Sequence, residues 1–247
     1  PGNQNDLINA VAAAANGKPI AVVTMGGGPV DVTLVKNNSA IASLIWCGYP
    51  GQSGGTAIAD AIFGTTNTFG KLSLTWYPEE FTKQVAITDM GMRPNKTSGN
   101  PGRSYRFYTG TPVYKFGDGL SYTTFNTSIK VDSSVPLSTV RGERELLRKD
   151  TSVVATVATT VQNTGSRDGD EVVQIFASPP DAGENGVPLK SMIAYERFSI
   201  PVGQSVNHEF KIQSHHFTFA DSTGLLTTSP GTWRVWAGAN GESKAME

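Results

Sequence analysis

The residues whose types and spacing come closest to a reactive group lie in Gly51-Gln52-Ser53-Gly54-Gly55. This stretch fits G-x-S-x-G, in which a sharp strand-to-helix turn presents a nucleophilic serine for acyl transfer. An apolar run, Ile41–Trp46, precedes it and a helical pattern, Thr56–Phe63, follows. Two features count against that chemistry. Cys47 to Pro50 separate the run from the turn, and the three histidines, His208, His215 and His216, all fall in the distal part of the chain. The stretch reads better as a glycine-rich strand-to-helix loop, with a serine hydrolase using Ser53 as the lesser alternative. Gly26-Gly27-Gly28 also follows an apolar run, as phosphate loops do. The third glycine of G-x-G-x-x-G would fall at Asp31 and no Gly-Lys-Ser/Thr follows, so a tight turn is the better account.

No metal ligand set stands out. His215 and His216 are adjacent, and adjacent strand residues point to opposite faces. His208 falls on an apolar stripe and reads as a hydrogen-bonded core residue. Asp168, Asp170 and Glu171 crowd an Asp-Gly turn, but their spacing fits no calcium loop. The acids of the first half (Asp6, Asp31, Asp60, Glu79, Glu80, Asp89) are scattered, with no evident pair for acid/base work on a sugar. No metal or cofactor is therefore expected. Cys47 is the only cysteine, which excludes an intrachain disulfide. Three sequons make Asn37, Asn95 and Asn126 candidates for N-glycosylation and lend mild support to secretion.

A formal net charge of -1, with 17% charged residues, gives no reason to expect nucleic acid or an anionic membrane as partner. No apolar run approaches the ~20 residues that span a bilayer. The first residues, Pro1-Gly2, lead almost directly into a helical pattern without a leader, which reads as the middle of a protein.

Two textures must position these residues. From Asn5 to about Tyr77, helix and strand alternate. Asp6–Ala15 is an alanine-rich helix stopped by Asn16-Gly17. Pro19–Met25 and Ile41–Trp46 are apolar runs suited to a parallel sheet, and Asp31–Val35 is a short helix. Thr56–Phe63 is a helix closed by Gly64, and Lys71–Trp76 alternates as a third strand. So few elements cannot cover both faces of a parallel sheet, so residues 1–78 read as half of an α/β domain. Residues 79–118, rich in Pro, Gly, Asn and aromatics, read as an ordered bridging segment.

Residues 119–247 read as all-β. Candidate strands are Phe125–Val131, Val153–Asn163, Asp170–Ser178, Met192–Ile200, Ser205–Gln213, Phe217–Ala220 and Thr232–Ala239, separated by turn signals such as Asp168-Gly169. In Val206–Gln213 the residues Val206, His208, Phe210 and Ile212 share one face. Trp233, with Val235 and Ala237, reads as core. Trp236 then faces outward, either as a stacking platform for sugar or packed on a neighbouring domain. Seven such strands predict an immunoglobulin-like or fibronectin-type sandwich.

Read in order, several stretches resemble family-3 glycoside hydrolases, in particular the β-xylosidase and β-glucosidase branch. They are Pro1 to Gln4 with Asp6-Leu7-Ile8, Trp46–Gly55 (WCGYPGQSGG), Ala57–Gly64 (AIADAIFG) and Gly70–Pro78 (GKLSLTWYP) in the α/β half. Met90–Pro94, Pro101–Gly110 (PGRSYRFYTG) and Tyr114–Phe125 (YKFGDGLSYTTF) resemble the bridge. Gln162–Phe176, Lys190–Ile200 and Pro230–Gly238 resemble a fibronectin type III-like domain. The resemblance implies a partial α/β sandwich domain joined to a fibronectin type III-like β-sandwich. It also implies hydrolysis of exposed β-linked sugars by a carboxylate pair, an aspartate nucleophile from a barrel domain and a glutamate acid/base. Neither position is matched by a residue of this sequence, so no catalytic residue is assigned. Tyr49 and Gln52, in a loop at a strand end, are the residues expected to approach the sugar. The implied partners are the N-terminal barrel portion of the same enzyme and an oligo- or polysaccharide, and the implied location is extracellular. The competing reading is a non-catalytic structural or carbohydrate-contacting protein that reuses the fold.

Overall fold

The computed structural model describes residues 2–132, 141–142, 152–239 and 244–246. Its first part is α/β. Helix α1 (Gln4–Ala14) leads to strand β1 (Ile20–Thr24), helix α2 (Thr33–Asn37), strand β2 (Ile41–Trp46) and helix α3 (Gly54–Phe63). Strands β1 and β2 pair in parallel from Ile20↔Ile41 to Thr24↔Trp46, so the two apolar runs form one sheet. Helix α3 ends where Gly64 turns left-handed at φ 72°, a conformation that favours glycine. A small core of Val32, Val35, Trp76 and Val113 holds these elements, with Ile8 of α1 packed against it. No residue of α1 is fully buried.

Lys71–Trp76 is not a third strand of that sheet. Its backbone runs beside the bridging segment: the Leu72 amide donates to Asp118 (2.8 Å), Gly117 to Leu72 (2.8 Å), Trp76 to Tyr114 (2.9 Å) and Val113 to Trp76 (2.7 Å). Period-2 alternation marks extended backbone without saying which chain it pairs with. Here left-handed Gly117 (φ 87°) interrupts a regular ladder. Among the described residues the parallel sheet therefore has two strands.

The bridge is ordered by aromatic packing around two short helices, α4 (Glu80–Gln84) and α5 (Ser104–Phe107). Tyr77 stacks on Phe81 with ring centroids 4.2 Å apart, and Tyr108 meets Tyr77 edge-on at 4.9 Å. The Tyr77 hydroxyl accepts the Ser104 amide at 2.6 Å. Gly102, at φ 88°, admits no side chain, since a Cβ there would stand 2.3 Å from the Phe107 carbonyl oxygen.

The remainder is a β-sandwich. Strands β3 (Phe125–Asp132), β4 (Arg141–Gly142), β5 (Val153–Asn163), β6 (Gly169–Ser178), β7 (Ser191–Ile200) and β8 (Ser205–Gln213) come first. A 3-10 turn (Ser214–Phe217) then leads to β9 (Phe219–Ala220), β10 (Leu226–Thr227), β11 (Trp233–Ala237) and β12 (Lys244–Met246). One sheet runs β3-β5-β8, the facing sheet β12-β11-β6-β7, and a small third sheet runs β4-β10-β9. The core between them contains Val157, Val161, Ile175, Ile200, Phe217, Trp233 and Val235. The alternation read from Val206–Gln213 holds, with Phe210 and Ile212 buried between exposed Glu209 and Lys211.

The two parts are clasped together at Asn67, which is 7% exposed. Its amide nitrogen donates to the Asp168 carbonyl (2.9 Å), and its oxygen accepts the Ser121 hydroxyl and the Tyr122 amide (2.9 Å each). Gly169 leaves room for it: a Cβ there would lie 2.4 Å from Asn67 Nδ2. Around this hub Arg167 donates to the Gly64 carbonyl, Tyr122 to that of Ala61 (2.6 Å), and Lys71 pairs with Glu171 (3.0 Å).

Candidate functional site

Ligands of α/β sheets gather at the carboxyl ends of parallel strands, and here those ends carry two glycine-bearing loops, 25–32 after β1 and 47–53 after β2. The loops are tied to each other. The Gly26 amide donates to Gly48 O (3.0 Å), the Cys47 amide to Thr24 O (3.2 Å), and the Trp46 indole to Gly26 O (2.9 Å). Trp46 is in turn fixed edge-on against buried Trp76, with centroids 5.9 Å apart. Left-handed Gly48 (φ 59°) and Gly51 (φ 70°) turn the second loop back on itself. At its tip Tyr49 is 83% exposed, with Gln52 and Ser53 exposed beside it.

Ser53 does not form a nucleophile elbow. It precedes α3 at φ −87° and ψ 10°, an unstrained conformation, and its side chain makes no capping bond. All three histidines sit in the sandwich: His208 lies against Phe210 (4.5 Å) and Phe198 (5.3 Å), as a ring packed at the core edge. His215 and His216 lie on the 3-10 turn rather than on a strand, which brings their rings to 4.1 Å instead of placing them on opposite faces. His216 Nδ1 accepts the Gln213 amide at 3.1 Å. Among the described residues no group of three potential metal ligands is present.

The carboxylates are largely held by structural partners. Asp31 accepts the Thr33 amide (2.8 Å) and hydroxyl (2.6 Å) and the Glu79 amide (3.0 Å). Burial pushes its pKa up, but these three hydrogen bonds outweigh that and hold it below the ordinary aspartate value. Asp170 takes both Arg197 Nε (2.9 Å) and an Arg197 terminal nitrogen (2.7 Å), Asp168 takes the Val202 amide (2.8 Å), and Glu171 pairs with Lys71. Trp236, on the outer face of its sheet, stacks on Phe176 at 5.9 Å and is half-buried. Two grooves of ≈ 470 Å³ each, one beside Asp89 and Arg93 and one beside Asn67 and Arg167, lie away from the Tyr49 loop and gather no catalytic pair.

The histidine turn carries a pH dependence. Burial, and the nearness of His215, depress the pKa of His216 below the usual histidine value. The folded state thus binds fewer protons than the unfolded chain, whose histidine titrates near pH ~6.5. The stabilising contribution is full above that pH and is lost as pH falls through and below it. The melting temperature is expected to drop from pH 7 to pH 5, and to drop less in a His216→Gln variant. Equal drops in both proteins would exclude His216 as a source.

An α/β segment clasped to a fibronectin type III-like sandwich is the class that this architecture defines, and the comparisons agree. Residues 1–122 match the glycosyl hydrolase family 3 C-terminal domain, and residues 171–241 match the fibronectin type III-like domain. The probable β-D-xylosidase 6 of Arabidopsis thaliana is 43% identical over 100% of this chain and 34% of its own length. The exo-1,4-β-xylosidase xlnD of Aspergillus awamori is 38% identical over 95% of this chain and 30% of its own. Among solved structures, a family-3 exo-β-xylosidase in complex with a xylobiose aziridine probe superposes with a TM-score of 0.84 at 35% identity, covering 97% of this chain and 31% of that one. The chain belongs to glycoside hydrolase family 3, of which it carries the C-terminal region. It spans about a third of the length of the curated relatives it matches.

Tyr49 and Gln52, expected from the sequence to approach a sugar, lie exposed on this loop, and the bonds that hold the loop have no counterpart in the sequence reading. The Trp46 indole bond to Gly26 has no local signature, because it joins residues 20 apart. Pro1, where the first family-like stretch begins, lies outside the described residues.

Proposed function

We propose that this chain is the C-terminal part of a secreted, exo-acting β-glycosidase of the β-xylosidase or β-glucosidase type. The observation that carries the reading is the 43% identity to a β-xylosidase, sustained through the whole chain. In this reading hydrolysis proceeds by a carboxylate pair, one forming a glycosyl-enzyme and the other shuttling the proton. Both carboxylates belong to the N-terminal portion that the longer relatives carry, the nucleophile on its barrel domain. Residues 1–78 complete the α/β domain, 79–118 bridge it, and the sandwich 119–247 braces both. Tyr49 and Gln52 border the sugar. The exposure of Asn37, Asn95 and Asn126 suits N-glycosylation in a secretory pathway.

The 247-residue chain by itself is expected to give no turnover of aryl β-xylosides or β-glucosides. The longer enzyme that contains it is expected to hydrolyse at least one of them. Turnover by the isolated chain, abolished by mutating one of its own acids, would overturn the reading.

A further inference from the structure

The turn between β5 and β6 is shaped by the sandwich itself, from below. Asn163 is fully buried, and its side-chain oxygen accepts the Thr123 hydroxyl (2.7 Å) and the Gly165 amide (3.1 Å). Its side-chain nitrogen donates to the carbonyls of Arg167 (2.7 Å) and Ile200 (2.9 Å). A buried amide with its bonds satisfied in this way rigidifies what it touches. Neither Gly165 nor Gly169 adopts a positive φ, so what these glycines supply is space. A Cβ at Gly165 would stand 2.7 Å from the Thr124 backbone nitrogen. One at Gly169 would stand 3.0 Å from Thr123 Cγ2 and 2.4 Å from Nδ2 of buried Asn67. The turn grips Asn67 by its backbone too, since the Asp170 amide donates to the Asn67 carbonyl at 3.2 Å.

This grip lies beside the C-terminal end of α3. That helix has no basic residue in its last turn. Its end carbonyls are covered from elsewhere, Ala61 by the Tyr122 hydroxyl (2.6 Å) and Gly64 by Arg167, whose guanidinium lies over the Tyr122 ring at 5.5 Å. A cation there complements the helix dipole. Asn67 bonds the Tyr122 amide and the Asp168 carbonyl, so it ties both capping segments to the helix that they cap. Ion pairs flank it, Lys71 with Glu171 (3.0 Å) and Arg197 with Asp170 (2.7 Å). Salt weakens such pairs near the surface but not a neutral, buried amide.

We infer that the 163–170 turn is a preformed socket for Asn67, and that this uncharged lock, rather than the ion pairs around it, holds residues 60–72 and the capped end of α3 to the sandwich. The lock deepens the bracing role given to the sandwich above and rests on it, but not on the reaction that the whole enzyme performs.

The test uses the full-length enzyme that contains this chain, with amide hydrogen exchange read peptide by peptide by mass spectrometry. Asn67→Ala is expected to speed exchange across residues 60–72 and 118–124 about tenfold or more, with 205–213 in β8 unchanged. Gly169→Ala should do the same, because its Cβ expels the Asn67 amide. In an Asn67→Ala background it should add little, since the side chain that it strikes is gone. Sodium chloride at about 1 M should leave exchange in 60–72 within about twofold of the parent. Tyr122→Phe, a milder change should the others fold poorly, is expected to speed exchange at the end of α3 alone. Unchanged exchange in Asn67→Ala or Tyr122→Phe, a full Gly169→Ala effect without Asn67, or an opening by salt as large as that of Asn67→Ala would each overturn the inference. Faster exchange throughout β5 and β8 in Asn67→Ala would overturn it too, by making Asn67 part of the sandwich core. Absence of glycoside turnover in the parent would remove the glycosidase reading and leave the lock standing.

Discussion

Trp233→Ala is expected to cost the sandwich about 3–5 kcal/mol, the range for truncating a buried aromatic side chain. Trp233 is 2% exposed, on a strand between β6 and β12. Its ring meets Phe217, itself fully buried, edge-on at 5.2 Å, and its indole donates to the Ser229 carbonyl at 3.1 Å. Truncation opens a cavity beside Phe217 and leaves the carbonyl of 6%-exposed Ser229 without this partner. Trp233→Phe keeps most of the ring and should lose about 1–2 kcal/mol, mainly the hydrogen bond and part of the volume. Urea denaturation of the three proteins measures both losses. A Trp233→Ala loss below about 1 kcal/mol would show that this ring is not central to the core.

Cutting the chain should separate a stable part from an unstable one. A segment beginning at residue 119 is expected to fold cooperatively, because it keeps the core of Val157, Ile175, Phe210, Ile212 and Trp233. It should nonetheless be less stable than a segment beginning at residue 101. Phe176 is fully buried on the outer face of its sheet, covered by Tyr105 (5.9 Å) and Phe116 (6.1 Å), which stack on each other at 4.2 Å. A start at 119 removes both rings and partly uncovers Phe176, which keeps Trp236 stacked on it, a loss of about 1–2 kcal/mol. Residues 1–118 alone should aggregate. Their parallel sheet has two strands, and Leu7, Val11 and Met25 are 63%, 47% and 68% exposed. Limited proteolysis with dye binding checks each segment. A monomeric, protease-resistant 1–118 would show a self-sufficient domain, and equal stability for the 101 and 119 starts would show that the aromatic cover contributes nothing.

Much of the secondary structure was legible because it depends on local periodicity. Val153–Asn163 and Ser205–Gln213 were read with their observed bounds, since β-branched and alternating residues report a half-buried strand whatever it pairs with. Gly64 closed its helix as read, because the left-handed cap is a local requirement. Of the candidate site, Tyr49 and Gln52 are legible as exposed, glycine-flanked loop residues, whereas the Trp46 indole bond to Gly26 that ties the two loops is not, because it joins residues 20 apart.

By itself, then, the sequence determined the order of textures, an α/β half, an aromatic bridge and a sandwich, along with the buried faces of the Val206–Gln213 and Trp233 strands. It also determined the family, through stretches whose residues must agree with several neighbours at once. Tertiary structure decided the pairings. Lys71–Trp76 lies along 113–118 rather than in the parallel sheet, His215 and His216 meet on a 3-10 turn, and Asn67 binds three segments together. The reason is physical: a side chain's periodicity is set by its own backbone, but its partner is set by whichever distant segment the packed core brings within reach.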